Sequence, residues 1–192
     1  MKKSLLIITV VVTGFLFSGC GYNTMVSMDE AVSSAWAQVE NVYQRRADLI
    51  PNLVETVKGY AEHEQETFTR VIEARAKATS MTVDPANLTP EALQQFQEAQ
   101  QGLTSALNRL MVVVEQYPDL KANQNFLDLQ AQLEGTENRI TVERMKFNEA
   151  TQGYNAYIRR FPELIIAKIF GFKRKAYFEA QPGAEKAPEV KF

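Results

Sequence analysis

The sequence predicts an all-α protein, an up-and-down antiparallel helical bundle of long helices whose first helix is kinked near Pro51. Two observations carry this. Apolar residues recur in steps of three and four along every long segment, whereas a strand would need alternation over short runs. The connections between those segments are short, which favours antiparallel neighbours.

In the first segment the stripe runs through Val32, Trp36, Val39, Tyr43, Ile50, Leu53, Val57 and Tyr60, then Phe68 and Val71. Ser27, with Glu30 three residues on, reads as a capping box that opens this helix. Pro51 removes a backbone donor and crowds the preceding turn, so the helix must bend there or end over residues 47–50. The stripe keeps its phase across Pro51, which favours a kink. A single rod over residues 29–80 would be about 78 Å long, which keeps a break open as an alternative. Residues 82–89, polar and containing Pro85, form the clearest loop. Thr89 and Pro90 then open a second helix as cap and first position, with Phe96, Leu103, Leu107, Leu110 and Val114 on its stripe. A third helix is expected over residues 120–160, with a seam of Phe126, Leu129, Leu133, Ile140, Phe147, Tyr154 and Tyr157.

The N-terminus carries an address. Lys2 and Lys3 precede an apolar run over residues 5–17, then Ser18, Gly19 and Cys20, the single cysteine of the chain. The run is roughly 20 Å long as a helix, short of a bilayer core of roughly 30 Å. The pattern resembles a bacterial lipoprotein signal, with Phe17 standing where leucine is usual. Residues 1–19 then read as a signal peptide, residues 20–28 as a membrane tether that starts at an acylated Cys20, residues 29–176 as the bundle and residues 177–192 as an extended tail. An uncleaved N-terminal transmembrane anchor is the alternative. Gly21, in place of Asp, favours the outer membrane in a two-membrane cell.

Composition narrows the partners. The chain has 192 residues and a formal net charge of −2, and removal of Lys2 and Lys3 with the leader makes it more acidic. That balance points away from nucleic acid. One cysteine offers no intramolecular disulfide, so stability must come from the core.

Two charges interrupt the apolar stripes. Arg46 falls between Tyr43 and Ile50, and Glu143 between Ile140 and Phe147. A buried charge needs a partner, so an interhelical ion pair or network is expected to join Arg45 or Arg46 to Glu137 or Glu143. Snorkelling of Arg46 to solvent is an equal alternative.

Motifs for catalysis are weak. His63 is followed by Glu64 but lacks a second histidine at zinc-helix spacing, and reads as a surface helix residue. Glu62 with Glu64, or Glu143 with Glu149, reads as a solvated face rather than a metal site. Neither a nucleophile elbow nor a phosphate loop is present. No enzyme activity, metal or cofactor is expected.

Near the C-terminus, Leu164, Ile165, Ile166, Ile169, Phe170 and Phe172 mix with Lys168, Lys173, Arg174 and Lys175. This basic amphipathic segment either rests on a membrane or partner surface, or forms a short helix that seals the bundle's end. The second reading is the favoured one.

The run Tyr43-Gln44-Arg45-Arg46-Ala47-Asp48-Leu49-Ile50-Pro51-Asn52-Leu53-Val54, followed by Val57-Lys58-Gly59-Tyr60-Ala61 and His63-Glu64, resembles the signature of the LemA family. Tyr117-Pro118-Asp119-Leu120-Lys121-Ala122, Asn125-Phe126, Thr136-Glu137-Asn138-Arg139-Ile140 and the segment 154–161 fit the same family in order. The resemblance covers residues 28–192. It implies an all-helical bundle, attached to a membrane at its N-terminus and without an established enzymatic activity. Members commonly carry a transmembrane helix there, from which the lipobox-like Cys20 departs. Some are linked to membrane organisation and others are found with membrane proteases. The function expected is that of an envelope scaffold or adaptor that contacts membrane lipid through Cys20 and binds another envelope protein or itself. A membrane-shaping or membrane-surface-binding protein is the alternative.

Overall fold

A computed structural model describes residues 2–179, with side chains from residue 21 onward. The helices are α1 (Lys2–Lys58), α2 (Gln65–Ser80), α3 (Pro90–Val114), α4 (Pro118–Lys121), α5 (Gln124–Tyr157) and α6 (Glu163–Phe170), with a 3₁₀ turn at Pro85–Asn87. No strand occurs among the described residues. Contacts between named residues fix the directions. Trp36 meets Phe147 and Arg46 meets Glu137, so α1 and α5 are antiparallel. Trp36 and Arg46 also meet Phe96 and Gln100, so α1 and α3 are parallel. With α2 returning between them, the order is up, down, up, down.

The start of the first helix differs from expectation. α1 runs through Ser27 without interruption, so Ser27 and Glu30 form no capping box. Met25 is fully buried in the core, which extends the packed part of the bundle into residues read as tether.

Pro51 lies inside α1, which continues for two further turns; the chain breaks instead over residues 59–64. Proline has no N–H to offer the carbonyl four residues back. That orphan, the oxygen of Ala47, accepts a hydrogen bond from Arg75 Nε of α2 at 2.7 Å. The lesion in one helix becomes a link to the next. His63 sits exposed in the turn rather than on a helix.

Side-chain caps fix the starts of α3 and α5. Thr89 Oγ1 accepts from Ala92 N at 3.2 Å, with Pro90 at the first position of α3. Asn123 Oδ1 accepts from Phe126 N at 3.1 Å and opens α5, while Leu120 belongs to the separate one-turn α4. α5 ends at Tyr157, short of the expected residue 160. Gly171, at φ +78°, closes α6 in the left-handed conformation that glycine adopts without a Cβ clash.

Two apolar clusters fill the bundle. One contains Met25, Val32, Trp36, Tyr43, Phe96, Ile140, Phe147, Tyr154 and Phe178. The other contains Ile50, Leu53, Val57, Phe68, Val71, Leu103, Leu110 and Phe126. Along α1 they meet between Tyr43 and Ile50, and Arg46 fills the gap.

The C-terminal residues form an extended strap over 172–179 that begins earlier than the tail read from the sequence. Helical side chains serve its backbone. Asn155 Nδ2 donates to Lys175 O at 2.8 Å and its Oδ1 accepts from Lys175 N at 2.9 Å. Asn148 repeats the pattern on Phe178, with Nδ2 to Phe178 O at 3.0 Å and Phe178 N to Oδ1 at 2.9 Å. The spacing explains the match. Seven helical residues rise about 10.5 Å, and three extended residues cover about 10 Å. The remainder of the tail, residues 180–192, lies outside the described residues.

Candidate functional site

Arg46 is buried at 3% exposure and ties three helices together. Its Nη1 donates to Glu137 Oε2 of α5 at 2.9 Å and to Thr104 Oγ1 of α3 at 3.2 Å. Its Nη2 donates to Gln100 Oε1 at 2.6 Å, and the guanidinium lies over the Tyr43 ring at 5.1 Å. Gln100 turns its own Nε2 toward Ala78 O of α2 at 3.3 Å, so the polar layer reaches all four long helices. Nε of Arg46 is buried and has no partner among the described residues.

The expected partners divide. Arg46 contacts Glu137, whereas Arg45 points outward and Glu143 pairs with Lys146 at 2.9 Å on its own helix. Arg45 and Glu143 are therefore outside the network. The reason is register: Arg45 lies about 100° around the helix from Arg46, and Glu143 stands almost two turns beyond the level of Arg46. Snorkelling is excluded by the burial of Arg46.

Beside this layer opens a cleft of about 320 Å³ lined by Tyr43, Arg46, Gln97, Gln101, Glu137 and Arg144. Burial raises the Tyr43 pKa above its ordinary value, and the charges of Arg144 and Arg46 oppose that rise. The cleft holds three acids, Glu98, Glu137 and Glu179, and two guanidiniums, both already engaged: Arg46 by Glu137 and Gln100, Arg144 by the Glu179 carbonyl and the Phe178 ring. Among the described residues no group of His, Cys, Asp and Glu side chains is arranged to hold a metal ion.

A second buried cation sits near the bundle's other half. Lys175, read from the sequence as surface, is 7% exposed, which corrects that reading. Its Nζ pairs with Asp29 Oδ1 at 2.7 Å, donates to Pro85 O at 2.9 Å and lies 5.6 Å from the Tyr154 ring centroid. The cause is the strap: Asn155 holds the Lys175 backbone against α5, and the side chain then points inward. The Tyr154 pKa is pushed up to about 12, by burial first and then by the charge of Asp29.

The rest of that segment divides in the same way. Lys168, Phe170, Lys173 and Arg174 are exposed, while Phe172 is half-buried against Tyr22. Helix α6 packs on α1, where Gly21 lets Ile166 approach: a Cβ at Gly21 would lie 3.1 Å from Ile166 Cδ1. The Cys20 side chain lies outside the described residues. Among those residues no helix is long and apolar enough to cross a membrane.

Sequence reasoning missed Gln100, Thr104, Asp29 and the asparagine pair. The pair had a signal: Asn148 and Asn155 stand seven residues apart on one face of a helix, where a polar side chain is expensive without a backbone to serve.

These features define a class: an antiparallel helical bundle divided by a buried polar layer and closed by a C-terminal strap. The family profile of LemA matches residues 35–192, and the chain belongs to the LemA family. It is 30% identical over 183 residues to "Magnetosome protein MamQ 2" of Paramagnetospirillum magneticum, covering 85% of this chain and 66% of that protein. It is 28% identical to "Magnetosome protein MamQ" of Magnetospirillum gryphiswaldense, with the same coverage. Similarity extends to "Protein LemA" of Metamycoplasma hominis, at 23% identity over 91% of this chain and 75% of that protein. The chain spans just under two thirds of the length of the MamQ relatives.

Proposed function

We propose that this chain is a membrane-anchored helical bundle of the bacterial cell envelope that acts as a non-enzymatic scaffold or adaptor for other envelope proteins. The observation that supports this most directly is the continuity of α1. A single helix, Lys2–Lys58, carries the N-terminal apolar run and, further along, the core residues Met25, Val32 and Trp36. An anchor in that run, or an acyl group on Cys20, is then joined to the bundle by a helical rod, not by a flexible tether. The bundle is held at a fixed stand-off from the extracytoplasmic face of the membrane. Its outer surface offers apolar contacts such as Val112, Val142 and Met145 to a partner.

Mass spectrometry of the native N-terminus, combined with in-cell cross-linking from Met145, tests both parts. An acylated Cys20, or an intact Met1 in the membrane fraction, together with a stoichiometric partner lost in Met145→Glu, is the expected result. A water-soluble chain without a leader would overturn it. Direct action on lipid is the second reading, favoured by the exposed apolar and basic end formed by α6.

A further inference from the structure

Helix α6 breaks the rule that a surface helix shows one apolar face. Six of its eight residues are apolar: Leu164, Ile165, Ile166, Ala167, Ile169 and Phe170. Ala167 and Ile166 face the core. The opposite side exposes Ile165 and Ile169, one turn apart, with Ile169 at 71% exposure and Phe161 in the preceding turn at 82%. A helix apolar on both faces is ordinarily covered on both.

Charge and position say what covers this one. Arg159, Arg160, Lys168, Lys173 and Arg174 are exposed around the patch, against one acid, Glu163, in an otherwise acidic chain. Tyr22 of α1 packs on Phe170 at a centroid distance of 4.8 Å. Tyr22 stands five residues from the end of the apolar run, or about 8 Å along the helix. It stands two residues from Cys20. Either form of anchor therefore brings α6 to the depth of the lipid head groups.

We propose that the exposed face of α6 docks on the anionic surface of the membrane that anchors the chain. Ile165, Ile169 and Phe161 enter the boundary between head groups and acyl chains, and Lys168, Lys173 and Arg174 meet lipid phosphates. This rests on the N-terminal anchoring proposed above and adds a second contact, which fixes the rotation and tilt of the bundle. A rigid rod on a single anchor point can still pivot and rotate about it; a second contact stops both.

The test uses the full chain, purified with its native N-terminus and carrying Ile169→Trp, in vesicles of phosphatidylcholine with or without phosphatidylglycerol. Lipids brominated near the head group quench an inserted indole. Trp36 is fully buried, and the unsubstituted chain measures its background. Ile72→Trp on α2 is the aqueous control, about 40 Å further along the bundle axis. The expected result is roughly twofold quenching of the Ile169→Trp signal in anionic vesicles, with none at Ile72→Trp. The triple variant Lys168→Glu, Lys173→Glu, Arg174→Glu is expected to lose that quenching. A chain that floats with the vesicles but shows an unquenched Ile169→Trp overturns the docking proposal and leaves the anchor standing. A chain that fails to float overturns both. A blue-shifted reporter that bromine does not reach, in a chain of doubled mass, assigns the patch to a second copy and overturns the proposal. Quenching that persists unchanged in the triple variant overturns the anionic assignment.

Discussion

Arg46 and Lys175 are both buried cations, yet they hold different things. Arg46 has one carboxylate, Glu137, whose side chain is 54% exposed, but also Gln100 and Thr104 as neutral acceptors. Lys175 has one carboxylate, Asp29, one carbonyl and a ring face. The guanidinium spreads its charge over a planar fork with several donors, so it can stitch three helices at once. An ammonium is a point charge and pins one segment, here the strap, to α1 and the 82–89 loop. The lesson is that a charge in the seam keeps the helices in register, whereas the charge at the edge fastens the chain's end.

The largest effect is expected on the strap side. Phe178 is buried, stacks on Trp36 and meets Phe147 edge-on, so Phe178→Ala should cost about 3–5 kcal/mol in denaturant unfolding. It should also remove hydrogen-exchange protection at Lys175 N, while amides around Arg46 keep theirs. The acid partners come next. Asp29→Asn should destabilise by up to about 3 kcal/mol, because it strips a buried ammonium of its carboxylate. Glu137→Gln should cost about 1 kcal/mol or less, because Glu137 is half in water and Arg46 keeps its neutral acceptors. Equal losses in the two variants would erase the distinction drawn between the two cations.

Arg46→Met is expected to cost about 1–3 kcal/mol, chiefly by leaving Gln100 Oε1 buried without its donor. Adding Gln100→Leu should recover much of that loss by joining the two apolar clusters. A double variant weaker than the single one would show that the layer stabilises the fold rather than setting its register.

The last effect appears only in alkali. Tyr154 has its folded pKa raised to about 12, against an ordinary value of about 10. Above the ordinary value the unfolded chain binds fewer protons than the folded one, so stability is full below pH 10 and declines through pH 12. Tyr154→Phe should flatten that decline in urea midpoints measured across the window.

Much of the bundle was legible because burial obeys periodicity. The stripe Val32, Trp36, Val39, Tyr43, Ile50 and Leu53 is the buried face of α1, and Thr89-Pro90 is the start of α3. Arg46 was visible as an intruder in that stripe. Its partner was narrowed to two acids, and only the offset between α1 and α5 separates Glu137 from Glu143. The break after Lys58 was not legible, since Gly59 and Tyr60 continue the pattern, whereas the passage of the helix through Pro51 was, since the stripe keeps its phase there. Lys175 was misread because a lysine among exposed basic neighbours looks solvated until a backbone three-dimensional path turns it inward.

Sequence alone determined the helical class, the apolar faces and the Thr89-Pro90 start of α3, because each depends on residues within a few turns of one another. Tertiary structure decided which acid meets Arg46, that Arg75 serves the carbonyl freed by Pro51, and that two asparagines hold the strap. Those choices join residues 28 to 91 positions apart or match a helix rise to an extended rise. Such matches are set by the relative placement of whole elements, which no local pattern encodes.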